Sequence, residues 1–174
     1  RKYLIFFSFF LILSSGLFSV EDYGVSSDDS DQRHSGFVAL NYIGEKIAPS
    51  ILNRYKGDRI YIDLSDEKYQ DRFSGHLLNT VSAFFEVIFN IEDRRNVFIF
   101  KHHIYFLLFF FSLISFYKIC QIRFEKWYIS ILGVLIIFLS PRIFANSFYD
   151  PKDIPFFSML IFSVHFGLLF FKNR

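Results

Sequence analysis

The chain reads as an all-α membrane protein with about four transmembrane helices and a long outer-face loop that carries amphipathic interfacial helices. Three observations predict this class. Its 174 residues are 52% hydrophobic and include 27 Phe, more than a water-soluble domain of this size has interior to bury. The apolar residues are gathered into long runs, at residues 3–20, 104–120, 128–139 and 154–171. The charged residues fall between those runs or at their ends. An A/T-biased genome also enriches Phe, Ile, Lys and Asn, so the clustering decides the class and the Phe count alone does not.

Charge and cysteine content narrow the choice further. A net charge of +2 is too small to point to nucleic acid as a partner. Cys120, the one cysteine, lies inside an apolar run, so no intrachain disulfide forms and no Cys/His zinc pattern exists. The first residue is Arg1 and the last residues directly follow an apolar run, the expected look of a piece of a longer protein.

The organisation follows in chain order as residues 1–20, 21–101 and 102–174. Residues 3–20 hold no charge and are preceded by Arg1 and Lys2. That length crosses the hydrocarbon core as a helix, and a cleaved signal peptide is the alternative. No small-x-small cleavage site precedes Glu21, which favours an uncleaved span. Residues 21–36, acidic and rich in Ser and Gly, read as a loop. Phe37, Leu40, Ile43, Ile47 and Ile51 recur at helical spacing and predict a helix over 36–52. Residues 58–64, DRIYIDL, alternate like a short strand. Over 73–91, Leu77, Leu78, Val81, Phe84, Phe85 and Ile88 form one stripe. Such a helix lies in a membrane interface or packs within a small polar subdomain.

The second span is expected over 104–120, followed by a short basic connection with Trp127 and Tyr128 placed for an interfacial belt. A third span starts at Tyr128 and continues through Phe148, and a fourth covers 154–171. Residues 140–155, SPRIFANSFYDPKDIP, separate those two with charges of both signs between Pro151 and Pro155. If Arg1 and Lys2 are cytoplasmic, so are Lys118, Arg123, Lys126, Lys172 and Arg174, against Glu125 as the one acid. Residues 21–101 and 140–155 then share the outer face of a multi-pass protein, as in the inner or plasma membrane of a bacterium.

Three stretches carry chemistry. Asp28, Asp29 and Asp31 stand so close that their carboxylates repel unless a cation or proton relieves them. The cluster serves as a general base, or it is a solvated acidic loop. Lys101, His102 and His103 open the second span, placed either to bind a phosphate or to snorkel toward headgroups. Adjacent histidines point about 100° apart on a helix, a poor spacing for a metal ion. Arg142 follows Pro141 at the outer end of the third span, with Asp150 and Asp153 as the expected partners.

These residues together resemble the GT-C glycosyltransferases, and most nearly glycosyltransferase family 39, the dolichyl-phosphate-mannose–protein mannosyltransferase-like group. The family's acidic pair after the first span looks like Asp28-Asp29, followed here by Gln32, Arg33 and Gly36. Its basic entry to the second span looks like Lys101-His102, and its second-loop acidic motif looks like Asp150-Pro151-Lys152-Asp153. Asp29 stands where the family has Glu, and Lys101 where it has Arg, which loses a bidentate fork.

The resemblance implies sugar transfer from a polyprenyl-phosphate-linked donor to an acceptor protein or glycolipid, with the lipid bilayer as surroundings. It implies Asp28 as base, Asp29 and Asp150 as positioning groups, and Lys101, His102, Arg142, Lys152 and Asp153 as substrate contacts, without a metal or cofactor. A transporter predicts ionisable groups at mid-span, whereas these charges sit at span ends. A non-enzymatic membrane anchor leaves the charged 150–153 segment without a purpose.

Overall fold

The computed structural model describes residues 1–26, 29–47, 77–91 and 93–172, and they form seven helices with no strand among them. In chain order these are α1 (Lys2–Ser19), α2 (Asp29–Ile47), α3 (Leu77–Ile88), α4 (Arg94–Phe124), α5 (Trp127–Phe138), α6 (Pro141–Tyr149) and α7 (Asp153–Lys172). The strand expected at 58–64 and the end of the helix expected over 36–52 lie outside the described residues. The chain divides into two compact units, one made of Arg1–Gly24 with the chain from Ile99 onward, the other of Val25–Phe98.

The first unit is a helical bundle. α1, α4 and α7 are each long and apolar enough to cross a membrane, and α5 with α6 makes a fourth candidate bent by 67°. Where one continuous third span was expected, the chain forms this bent pair, the geometry of a broken span or a re-entrant loop. α5 has 12 residues, about 18 Å of helix, which is short of a ~30 Å hydrocarbon core. Pro141 causes the break: it occupies the first turn of α6, and Ser140 before it is extended at ψ 113°. Glu125, at φ 57°, turns the chain sharply between α4 and α5.

Rings fill the bundle interior. Phe106, Phe109, Leu113, Val134 and Phe148 are buried together. Gly16 of α1 forms a notch for Phe106: a Cβ there would overlap the ring. The outside is equally apolar, with Phe6, Phe7 and Phe10 of α1 and Phe156, Leu160 and Phe166 of α7 exposed. Helices hydrophobic all round belong in lipid or deep in a large core. Ser8, Ser15 and Ser19 turn their hydroxyls back onto α1 carbonyls, which leaves the polar atoms satisfied inside an apolar surface.

The bundle's two ends differ. The end of α1, the Lys101–Phe106 portion of α4 and the end of α6 meet at one of them. There Tyr23 stacks on Phe148 at 4.3 Å and Phe148 on Phe106 at 5.3 Å. Phe9 packs on Tyr117 at 5.7 Å toward the other end, where Arg1, Lys2, Arg123, Lys126 and Lys172 gather by position in the helices. The basic segments singled out in the sequence therefore share one end of this unit.

The second unit pairs α2 with α3. α2 starts at Asp29, so residues 29–35, expected as loop, are helical. Asp29 and Asp31 sit in its first turn, where the helix dipole favours anions. Gly36 lets the helices touch, since a Cβ there would strike the Asn79 carbonyl. Asn79 Nδ2 donates to Gln32 Oε1 at 3.0 Å. Arg33 grips Glu86 with both Nε, at 3.0 Å, and Nη2. α3 ends at Ile88, and Asn90 then takes φ 49°, a left-handed position that Asn tolerates.

Candidate functional site

α4 begins at Arg94, ten residues before the apolar run, so the helix of the second span already includes Lys101 and His102. Both are withdrawn from solvent, with 2% and 1% of their surfaces exposed. Lys101 therefore does not snorkel; its Nζ stands 6.0 Å over the Tyr105 ring. His102 Nδ1 lies 3.3 Å from the Val20 carbonyl at the end of α1. Those final carbonyls lack helical partners, so an imidazole N–H donated there closes α1 and holds the ring in place. With Nδ1 as donor, Nε2 of the neutral ring is the acceptor nitrogen. His103 instead bonds within its own helix, with Nδ1 2.7 Å from the Ile99 carbonyl one turn back.

Asp150 lies at the same end of the bundle, where neighbouring Tyr149 approaches Tyr23 at 6.4 Å. Its backbone N–H donates to the Asn146 carbonyl and closes α6. Its Oδ1 accepts from the backbone N–H groups of Lys152 and Asp153, both at 2.9 Å. Asp150 thus builds the turn into α7 as an Asx residue, and its second carboxylate oxygen remains outside those two bonds. Lys152 and Asp153 are exposed on that turn.

Arg142 corrects an expectation. It is exposed and makes no ion pair with Asp150 or Asp153 among the described residues. The reason is helical rise: α6 spans nine residues, about 13 Å, and places Arg142 and Asp150 at its opposite ends.

Tyr23, not singled out in the sequence, anchors this end. Its hydroxyl is pushed above the ordinary tyrosine range, first by burial and then by Tyr149 and Asp22. Besides stacking on Phe148, it meets Phe144 edge-on at 6.1 Å. An aromatic residue just past a span is also what an interfacial belt looks like, so sequence alone had no reason to set it apart.

In the second unit, Asp28 lies outside the described residues. Asp29 is 1% exposed at the start of α2. Gln32, Arg33 and Gly36, which follow the acidic pair in the resemblance, all hold α3: by hydrogen bond, by ion pair and by close approach. Arg33 also covers the Phe37 ring at 5.2 Å. Asn79 and Glu86, their partners, were not separable by sequence from other polar residues of an amphipathic helix.

Comparison with protein-family models, with curated proteins and with solved structures returned no match to this chain. Among the described residues the architecture is helical, with three long apolar helices and a bent pair that would make a fourth, consistent with a multi-pass membrane protein.

Proposed function

We propose that the chain is part of a multi-pass membrane glycosyltransferase that crosses the bilayer about four times. It moves a sugar from a polyprenyl-phosphate-linked donor to a hydroxyl or amine of an acceptor protein or glycolipid at the outer face. The basic end of the bundle faces the cytoplasm, and the α2–α3 unit lies at the outer membrane surface. One observation carries this reading: Lys101 and His102 are held out of water at the bundle end that also carries the Asp150–Asp153 turn.

A desolvated ammonium at Lys101 stabilises charge on a departing phosphate far better than the same group in water, and His102, whose Nδ1 is engaged by Val20, adds a donor at Nε2 when its ring is protonated. In the transfer, the acceptor oxygen or nitrogen attacks the anomeric carbon as the bond from that carbon to the phosphate oxygen breaks. The bonding pair leaves with the lipid phosphate. The acceptor's proton passes to a carboxylate, for which Asp28 is the candidate, with Asp29 and Asp150 positioning the acceptor. Arg142, Lys152 and Asp153 are the exposed candidates for headgroup and sugar contact.

The test is turnover of a radiolabelled polyprenyl-phosphate sugar in membranes carrying the full reading frame. Asp28→Asn and Lys101→Gln are each expected to lower turnover by about 100-fold or more at normal expression. Asp150→Asn keeps an oxygen for the turn into α7, so any loss there reports the carboxylate and not the turn. Unchanged turnover in Asp28→Asn and Lys101→Gln sinks the assignment.

A permeation role has one observation in its favour. His165 sits buried within α7, its Nδ1 without a hydrogen-bond partner among the described residues, and Ser158 is buried two turns before it on the same helix face. Ion or solute flux abolished by His165→Ala, with no sugar transfer detectable, would decide for it.

A further inference from the structure

α3 is inside out. It buries Asn79, Ser82, Ala83 and Glu86. It exposes Leu77, Phe84 and Ile88, at 69%, 47% and 51%. The buried polar face is bonded to α2, through Asn79 to Gln32 and through Glu86 to Arg33. A helix packed in water takes the opposite arrangement, because removing apolar surface from water drives the packing. Here the helix keeps its polar groups for a protein partner and turns its carbon outward. That inversion is expected where the outer medium is itself apolar.

The exposed residues share one side of α3, with half-buried Val81 between Leu77 and Phe84. Leu77, Phe84 and Ile88 are spaced seven and four apart, which places them along one side of a helix. Phe84 meets Phe85 at 5.6 Å, and Phe85 stacks on Phe89 at 6.0 Å, extending the carbon surface past the helix end. Phe89 itself is 60% exposed. From Leu77 to Phe89 the one ionisable residue is Glu86, and it faces Arg33. The unit is also tied on both sides, through the chain, to helices long and apolar enough to cross a membrane.

We infer that the Leu77–Phe84–Ile88 face of α3 is a lipid-docking surface, occupied by the acyl-chain boundary of the bilayer. This deepens the outer-surface placement proposed above and rests on it: it names the face that enters the lipid and gives the polar face to α2. An interfacial helix of this kind buries its apolar side about 5–10 Å below the headgroups.

The test uses the full chain in phosphatidylcholine nanodiscs, with Cys120→Ser as background and an environment-sensitive fluorophore on a single new cysteine. Leu77→Cys, Phe84→Cys and Ile88→Cys are labelled separately, so that failure of one to fold leaves the others. Ser82→Cys reports the polar face, and Phe10→Cys reports the exposed middle of α1. Labels at the three apolar positions are expected to shift to the blue and lose most emission to nitroxides placed shallow in the acyl chains, but little to aqueous iodide. Phe10 should respond most to deep nitroxides, and Ser82 to neither reagent.

Iodide quenching at positions 84 and 88 would overturn the inference by showing the face open to water. Shielding from both reagents would overturn it by showing that protein covers the face. If Phe10 is quenched by lipid nitroxides while the α3 labels are not, docking fails alone. If Phe10 escapes them too, the bilayer placement fails with it.

Discussion

The two units solve the problem of cohesion in opposite ways. The first holds together by shape, with Phe106 in the Gly16 notch and Phe148 sandwiched between Tyr23 and Phe106. The second holds together by directional bonds, with Gln32 and Arg33 of α2 gripping Asn79 and Glu86 of α3. Both leave large apolar side chains on the outside. In water the first scheme draws on the hydrophobic effect. Between helices in lipid that driving force falls away, and close packing and interhelical hydrogen bonds carry the association. One chain thus shows both of those modes of association, one in each unit.

The sharpest way to break that contrast is to remove one partner of the ion pair. Arg33→Ala leaves the Glu86 side chain, 3% exposed, without its cation, and is expected to cost about 3–5 kcal/mol in the unfolding of the α2–α3 unit. Glu86→Ala should cost less, because the Arg33 side chain is 32% exposed and water can solvate it. Thermal unfolding followed by helical circular dichroism measures both, and equal losses would refute the asymmetry.

Phe106→Ala tests the shape-held unit. A soluble core loses about 3–5 kcal/mol for such a truncation, and in lipid the transfer part vanishes, so about half of that is expected. A full soluble-core loss, measured in nanodiscs, would mean that this interior is sealed against water and not against lipid.

The smallest effect concerns Tyr23. Its folded pKa is raised, so the folded state keeps a proton that the unfolded chain releases. The Tyr23 contribution is therefore full below the ordinary tyrosine range near about 10 and is lost as pH rises through the raised value. Tyr23→Phe should become more stable relative to the parent chain across that alkaline window. Parallel stability curves for the two proteins would show that Tyr23 does not sense its burial.

Much of the fold was legible in sequence because long apolar runs admit few arrangements. Residues 3–20 and 154–171 became α1 and α7 with boundaries moved by a residue or two. Pro141 was visible too, but its effect depends on whether Ser140 before it is extended, and the result was a 67° bend where one span was expected. The candidate site was less legible. Lys101 can snorkel or be buried with the same sequence around it, and only the neighbours of α4 decide between them. Arg142 and Asp150 are close in sequence, yet a nine-residue helix keeps them apart.

The sequence by itself determined the apolar character of the long segments, their number and the sorting of basic residues between them. Each of these rests on composition along one dimension, and burial cannot change it. Tertiary structure decided which face of each helix turns inward. The stripe on α3 is equally clear in sequence whether it packs or not, because periodicity marks a face without saying what lies against it. Gly36 brings the α2 and α3 backbones together, and once they touch, the hydrogen-bonding side of α3 has a partner. Its apolar side is left for whatever surrounds the protein.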